Sequence, residues 1–327
     1  MKCVVTGASG HVGNVLVREL VKKGYEVTAL IHENENIDYL KELNVVIKHG
    51  DVRDLKSLED AFRGNQIVFH LAGIVDIGSM KKNLIYDVNV NGTKNVYEAC
   101  KKEKIKRLVY TSSVHAIPEK RKGETITETK SFSSKLVKGT YAKTKAEATK
   151  FLLENYNDDM EIVIVHPSGI IGPYEYITTN LGQLIIDAAH KKIGAYLEGG
   201  YDFVDVRDVV NGIILAAEKG KNGECYILSG HYISVKDLLQ KLEEITNVKA
   251  PKFKIARWFA YITGFFAELH YKRLKQKPLF TSYSVYTLGT NSNFSSEKAK
   301  KELGYKTREL DETLIDTVNW FKKQGKI

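Results

Sequence analysis

Residues 6–13 read Thr6-Gly7-Ala8-Ser9-Gly10-His11-Val12-Gly13. Just before them, residues 2–6 form a short run rich in β-branched side chains. Just after, residues 11–23 place Val12, Val15, Leu16, Glu19 and Leu20 at helical spacing, and Gly24 is a natural stop. A glycine triplet alone is a weak signal, but between a strand and a helix it has a mechanism. Gly7 permits a tight turn, Gly10 lets backbone approach a pyrophosphate, and Gly13 lets the helix pack on the sheet. The phosphates then meet free N–H groups and the positive end of the helix dipole. Thr6, Gly7, Ser9, Gly10, His11, Val12 and Gly13 are therefore candidate dinucleotide contacts. His11 reads more readily as a plain loop position than as a phosphate ligand.

Outward from this loop the chain alternates. Residues 26–31, 45–49, 66–71, 107–111 and 161–166 read as strands. Residues 37–43, 55–62, 84–102 and 140–155 read as helices, with 84–102 one continuous helix. The strands are nearly unbroken in apolar character, which suits a parallel sheet covered on both faces. The expected fold is α/β, a Rossmann-type doubly wound parallel sheet with a smaller C-terminal substrate-binding lobe. Further helices are read at 181–191, 209–219, 235–246 and 310–322, and a strand at 225–228. We assign 1–166 plus 202–229 to the dinucleotide-binding domain and 167–201 plus 230–327 to the lobe. The polar stretch 119–139 is long enough for a mobile loop flanking the active site.

Dinucleotide binders that prefer NAD place an acid just after the second strand. Here that position is Ile31, followed by His32 and Glu33. With no acid in the usual place, His32 can face a 2′-phosphate, so NADP is preferred over NAD. Asp51, after the third strand, is placed to accept a hydrogen bond from the adenine amino group; its structural alternative is a helix cap beside Arg53 and Asp54.

Tyr141-Ala142-Lys143-Thr144-Lys145 sets Tyr141 and Lys145 one turn apart on one helix face. An unperturbed tyrosine, with a pKa near 10, is a poor acid or base at neutral pH. A neighbouring ammonium lowers that value, and the pair can then exchange a proton with a carbonyl or alcohol oxygen. Ser113 ends the fifth strand, where its hydroxyl can steady the same oxygen. Ser112 competes with it for that role.

These pieces, together with GDVRD at 50–54, HLAG at 70–73, DVNVNGTKNV at 87–96, HPSGIIGP at 166–173, DFVDVRDVV at 202–210 and FSSEKAKKELGY at 294–305, resemble the extended short-chain dehydrogenase/reductases. The resemblance implies hydride transfer at a nicotinamide, with Ser113, Tyr141 and Lys145 catalytic and Lys145 also on the nicotinamide ribose. It further implies that Val52, Leu71, Ala72, Gly73, His166, Pro167 and Ser168 line the cofactor and that Asn89 orders the site. The segment 253–290 is similar to the 3β-hydroxysteroid dehydrogenase and dihydroflavonol reductase branch. Its aromatics suit a flat apolar substrate, so Trp258, Phe259, Tyr261, Phe265 and Phe266 are candidates to line the pocket. Two other readings stay open: a core helix of the lobe, or a helix lying on a membrane, flanked by Arg257, Lys272, Arg273 and Lys275. Nucleotide-sugar epimerases or dehydratases are the alternative class. Against them, no acid follows Ser113 before Glu119, and Tyr201 stands where such enzymes often carry an arginine. A dinucleotide sensor without catalysis would be expected to lose the Tyr141/Lys145 pair.

The composition bounds these readings. The chain has 327 residues, 43 % hydrophobic and 27 % charged, as in a globular protein that needs neither disulfides nor a structural metal. Cys3, Cys100 and Cys225 are too few and too scattered for a disulfide framework or a metal site. We expect a cytoplasmic protein with no signal peptide and no metal. Lysine and arginine outnumber aspartate and glutamate by 49 to 40, yet no basic stripe with interleaved aromatics points to nucleic acid. The expected partners are a small-molecule substrate, a second copy of the chain through 84–102 and 140–155, and a peripheral membrane contact through 253–277.

Overall fold

The computed structural model describes residues 1–33, 35, 37–75, 82–256, 258–262 and 282–327. Its centre is a seven-stranded sheet. Six of the strands are β1 (Lys2–Thr6), β2 (Glu26–Ile31), β3 (Val46–His49), β4 (Ile67–His70), β5 (Arg107–Thr111) and β6 (Glu161–Pro167). The small sheets take β7 (Gly169–Ile171), β8 (Ala195–Leu197), β9 (Gly200–Asp205), β11 (His231–Ser234) and β12 (Phe253–Ile255), while β10 (Glu224–Leu228) returns to the centre. The central order is β3-β2-β1-β4-β5-β6-β10, and every pairing is parallel. The order reverses between β1 and β4, where a doubly wound sheet opens a crevice at its carboxyl edge.

Both faces of the sheet are covered, which explains strands such as β4, whose four residues are all buried. One face packs against α1 (His11–Lys22), α8 (Val206–Lys219) and α11 (Glu297–Leu303). The other packs against α3 (Leu55–Phe62), α5 (Gly92–Lys102) and α6 (Thr140–Asn155). A third core joins α7 (Asn180–Ala189), α9 (Val235–Thr246) and α12 (Leu310–Lys323) to β7, β9 and β11. A short helix α2 (Asp38–Lys41) follows β2, and α10 (Ser282–Thr287) precedes α11. Among the described residues no helix is long and apolar enough to cross a membrane.

Three expectations change. The helix expected over 84–102 is broken: α4 (Lys82–Tyr86) runs into a π-helical turn at Asp87–Asn91 and then α5. The wider turn releases carbonyls from the regular ladder, and the Thr93 hydroxyl donates to one of them, Asn89 O, at 2.7 Å. The stretch 119–139 is anchored along its length. Ile126, Phe132 and Val137 are buried, Glu128 accepts from the Ile227 N–H of β10 at 2.8 Å, and Lys130 pairs with Glu224 at 2.6 Å. Finally, Trp258 is 68 % and Phe259 49 % exposed, so the helical residues 258–262 are not a core helix. Arg257, Phe265, Phe266, Lys272, Arg273, Lys275 and the turn at 277–281 lie outside the described residues.

Candidate active site

Because the sheet is parallel, the ends of β1, β4, β5 and β6 meet at one edge, bringing the glycine loop, residues 71–73, Ser112–Ser113 and 166–168 together. Gly7 has φ +69°, and a Cβ there would lie 2.7 Å from Ala72 N. A Cβ on Gly13 would lie 2.0 Å from Gly7 O, so the loop closes on itself only without side chains. Gly10 is the open position, where a Cβ would meet just Gly7 O at 3.3 Å. Gly10 also caps α1 with no side-chain bond, and the first turn holds no acid. The N–H groups of that turn thus face the crevice unpaired by side chains, and this cradle fits a dinucleotide pyrophosphate.

The supporting side chains are fixed. Thr6 Oγ1 bonds His70 Nδ1 at 2.8 Å and accepts from Ala72 N at 3.2 Å, tying β1 to β4. His11 is turned away from a ligand role: its Nε2 bonds Pro173 O at 2.9 Å, and its Nδ1 lies 4.0 Å from Glu175. Burial pushes its pKa down against the pull of Glu175. Val12 packs on the first core and Val52 is buried beside α5. Ser9 donates to the Glu35 carboxylate, and the Tyr39 hydroxyl donates to Ser9 O at 2.6 Å.

His32 and Asp51 sit at the ends of β2 and β3, away from the other site residues, and engage each other at 3.3 Å. Asp51 also accepts from the backbone N–H of Arg53 at 2.9 Å and from its guanidinium, and those bonds hold its carboxyl below the ordinary value. The helix cap in this region is Asp54, which accepts from Lys56 N at 3.0 Å.

The candidate catalytic residues gather at the mouth of β5. Lys145 is buried and Tyr141 half-buried, and the Ser113 side chain lies close enough to the Tyr141 phenol to lower its pKa. Ser112 is engaged elsewhere, its hydroxyl paired with Thr149 at 2.7 Å. Lys145 Nζ donates to Thr111 O at 2.7 Å and lies 4.7 Å from the Tyr110 ring centroid. Burial, rather than Lys145, dominates the acidity of Tyr141: its pKa is pushed up to about 12, while the neighbouring Ser113 opposes. Burial likewise pushes Lys145 down to about 7. Asn89, carried inward by the π-helical turn, accepts from Ile74 N at 2.8 Å and donates to Ile74 O and Thr144 Oγ1, each at 3.0 Å. It therefore clamps the segment after β4 to α6. A Cβ on Gly73 would lie 3.2 Å from Asn89 Oδ1 and 3.5 Å from Lys145 Nζ, so glycine keeps that space open. His166 bonds Ser113 O through Nδ1 at 3.0 Å and stacks on Phe132, holding the serine's backbone in place. Pro167 and Ser168 follow at the end of β6, both buried.

Beyond Tyr141 opens a small cleft. The sequence reading did not foresee its walls. They include Val114, His115, Ile117, Tyr201, Tyr283 and Phe294, while Trp258, Phe259 and Tyr261 are absent from the lining. His115 faces the Tyr141 ring edge-on with centroids 6.2 Å apart, stacks on Tyr201 at 5.7 Å, and lies 6.2 Å from Tyr283. The nearness of His115 to Ser113 in sequence was the available signal. Tyr283 had none, since it arrives from α10.

Known proteins place this architecture. The chain is 31 % identical over 333 residues to sterol demethylase protein B of Methylococcus capsulatus, covering 100 % of both chains. It is 31 % identical over 341 residues to a mouse sterol-4-alpha-carboxylate 3-dehydrogenase, decarboxylating, covering 98 % of this chain and 91 % of that one. The crystal structure of gox2253 superposes with a TM-score of 0.87 at 32 % identity, covering 99 % of each chain. With residues 4–233 matching the family's model, the chain belongs to the 3-beta hydroxysteroid dehydrogenase/isomerase family, within the extended short-chain dehydrogenase/reductases.

Proposed function

We propose that this protein is an NAD(P)-dependent oxidoreductase that interconverts a ketone or aldehyde and an alcohol on a small, largely apolar substrate of steroid- or flavonoid-like shape. The observation that carries the reading is the convergence of Ser113, the Tyr141 phenol and buried Lys145 at the sheet edge that also bears the glycine cradle. Relatives named for sterol chemistry support the substrate class.

A bound reduced nicotinamide supplies the hydride. The chain's residues do the rest. Ser113 and Tyr141 hold the substrate oxygen by hydrogen bonds. Tyr141, with its proton retained up to about pH 12, enters the reduction as the acid and passes that proton to the forming alkoxide. Lys145 titrates near pH 7, so its charge favours the phenolate left behind once it is protonated. Thr111 O and the Tyr110 face hold the ammonium in position.

NADP is the proposed preference, because His32 and Arg53 cluster at the ends of β2 and β3. Fluorescence titration with NADH and NADPH tests it, and tighter NADH binding would assign the ribose hydroxyls to Glu35 beside Ser9 instead. The oxidoreductase reading is tested by following nucleotide oxidation with ketosteroids, flavanonols, simple aldehydes and UDP-sugars. Reduction of a ketosteroid supports it, and epimerisation of a sugar nucleotide overturns it.

A further inference from the structure

The geometry points to a second anchor in the substrate cleft: His115 Nδ1–H and the Tyr283 hydroxyl together bind a neutral oxygen, carbonyl or hydroxyl, that the substrate carries near its reacting carbonyl. This rests on the oxidoreductase reading for the placement of the reacting carbon at Tyr141. It narrows the substrate to doubly oxygenated ketones and alcohols.

The tautomer of His115 follows from its partners. Tyr201 OH lies 2.9 Å from His115 Nε2 and has no other hydrogen-bond partner among the described residues. A buried phenol gives its one proton to an available acceptor, so Tyr201 donates and Nε2 accepts. A neutral ring that accepts at Nε2 carries its proton at Nδ1. The ring is neutral, because burial pushes its pKa down to about 4. Nδ1–H is then a fixed donor with no hydrogen-bond partner among the described residues.

Tyr283 supplies the second donor. Its ring packs onto the backbone at Gly139, where a Cβ would come within 2.4 Å of Cε2, and Gly139 opens the helix that bears Tyr141. The Tyr283 phenol is close enough to Tyr141 and Glu119 for both to raise its pKa, after burial as the largest cause. It is therefore a protonated donor with no hydrogen-bond acceptor of its own among the described residues. Both donors belong to the cleft walls; His115 packs on the Tyr141 ring, and Tyr283 lies within electrostatic reach of the Tyr141 phenol. The walls also explain why the acceptor is neutral. The Glu119 carboxylate, bonded to the Tyr286 hydroxyl, lines the same cleft. Lys138 is drawn over the Tyr286 ring at 4.8 Å. A substrate carboxylate would meet the Glu119 carboxylate, with Lys138 already held over the Tyr286 ring.

Three ligands separate the cases: a cyclohexanone with a gem-dimethyl group beside its carbonyl, the diketone whose two carbonyls flank that gem-dimethyl carbon, and the ketone with a carboxylate replacing the second carbonyl. None of the three can be oxidised by the oxidised dinucleotide, so calorimetry on protein loaded with it reads binding alone. The expected result is diketone binding at least tenfold tighter than the ketone, with the carboxylate weakest. Glutamine places its amide near Nε2 and asparagine near Nδ1. His115→Gln should therefore abolish the preference, whereas His115→Asn should keep part of it. Tyr283→Phe should reduce it severalfold. With reduced dinucleotide, the His115→Gln loss should fall on KM for the diketone more than on kcat. Equal affinities for ketone and diketone, tightest binding by the carboxylate, or a preference unchanged in both His115→Gln and Tyr283→Phe would overturn the anchor. Turnover of the same ligands separates the two readings. A diketone preference without any reduction leaves the anchor and removes the oxidoreductase, and reduction with equal affinities removes the anchor alone.

Discussion

On the glycine-loop side of Tyr141, the site is made of backbone and of residues in short contiguous runs: 6–13, 71–73 and 111–113. On the cleft side it is made of side chains from several separate stretches, among them those around His115, at 137–138, at Tyr201 and over 283–294. The first side is shaped by where glycine lacks a Cβ, and the second by how aromatic rings stack. The difference teaches which perturbations each side tolerates. A methyl group suffices to damage the loop, whereas the cleft can be retuned one ring at a time.

Tyr141 joins the two sides, and its removal should have the largest effect. Tyr141→Phe should lower turnover by roughly 10²–10⁴-fold, the scale of a lost general acid. Cofactor affinity, measured by fluorescence titration, should stay within a few-fold of the parent. Near-normal turnover would show that the proton comes from another group.

Acid should break the molecule at the junction next. Unfolded, each histidine ring takes up a proton near pH 6.5; folded, burial holds His115 and His166 to about 4 and His70 to about 3. The unfolded chain thus binds more protons over that window. Their contribution to stability is complete above pH 6.5 and is lost as the pH falls toward 4. The combined loss should be on the order of several kcal/mol. Urea melts at pH 7 and pH 5 would measure it, and equal midpoints would mean that these rings charge freely in the native state.

The loop should then discriminate between its own glycines. Gly13→Ala must displace Gly7 O and should cost about 1–3 kcal/mol of stability, as overpacking does. Gly10→Ala has room for its methyl and should leave the melting curve nearly unchanged while weakening dinucleotide binding. Comparable melting losses in both variants would dissolve the distinction between a packing glycine and a binding glycine.

The smallest expected effect lies across the cleft. Gly139 has φ +91°, and an alanine there must push the Tyr283 ring. We expect Gly139→Ala to cost about 1 kcal/mol, the low end of local backbone strain. It should raise KM for the organic substrate and leave dinucleotide affinity unaltered. A fall in dinucleotide affinity would mean that the two sides communicate through the start of α6.

Legibility in the sequence follows the same division. The strands of the central sheet were readable because burial on both faces leaves continuous apolar runs, and β1, β2 and β5 occupy the residues expected of them. Tyr141, Lys145 and the glycine loop were readable because their spacing is a local property of one helix or one turn. Between Ser112 and Ser113 the chain leaves a choice, and packing pairs the Ser112 hydroxyl with Thr149. The break in the helix over 84–102 was hidden because a π-helical turn preserves apolar periodicity on either side. The aromatic residues 258–262 were misleading, since aromatic content does not say which way a helix faces. Tyr201 and Tyr283 meet His115 through tertiary packing alone, and no local pattern announces such a meeting.

The π-helical turn at Asp87–Asn91 also constrains anyone who would redesign this protein for thermal resistance. Deleting one residue there would restore a regular helix and improve its local backbone geometry. It would also swing every preceding position by about 100° relative to α5. Asn89 would leave its three partners, and the segment after β4 would lose its tether to the helix that carries Tyr141. Regularising this helix would thus exchange catalytic alignment for heat tolerance, and a stabilised variant would do better to alter α3 or α12 and leave this irregularity alone.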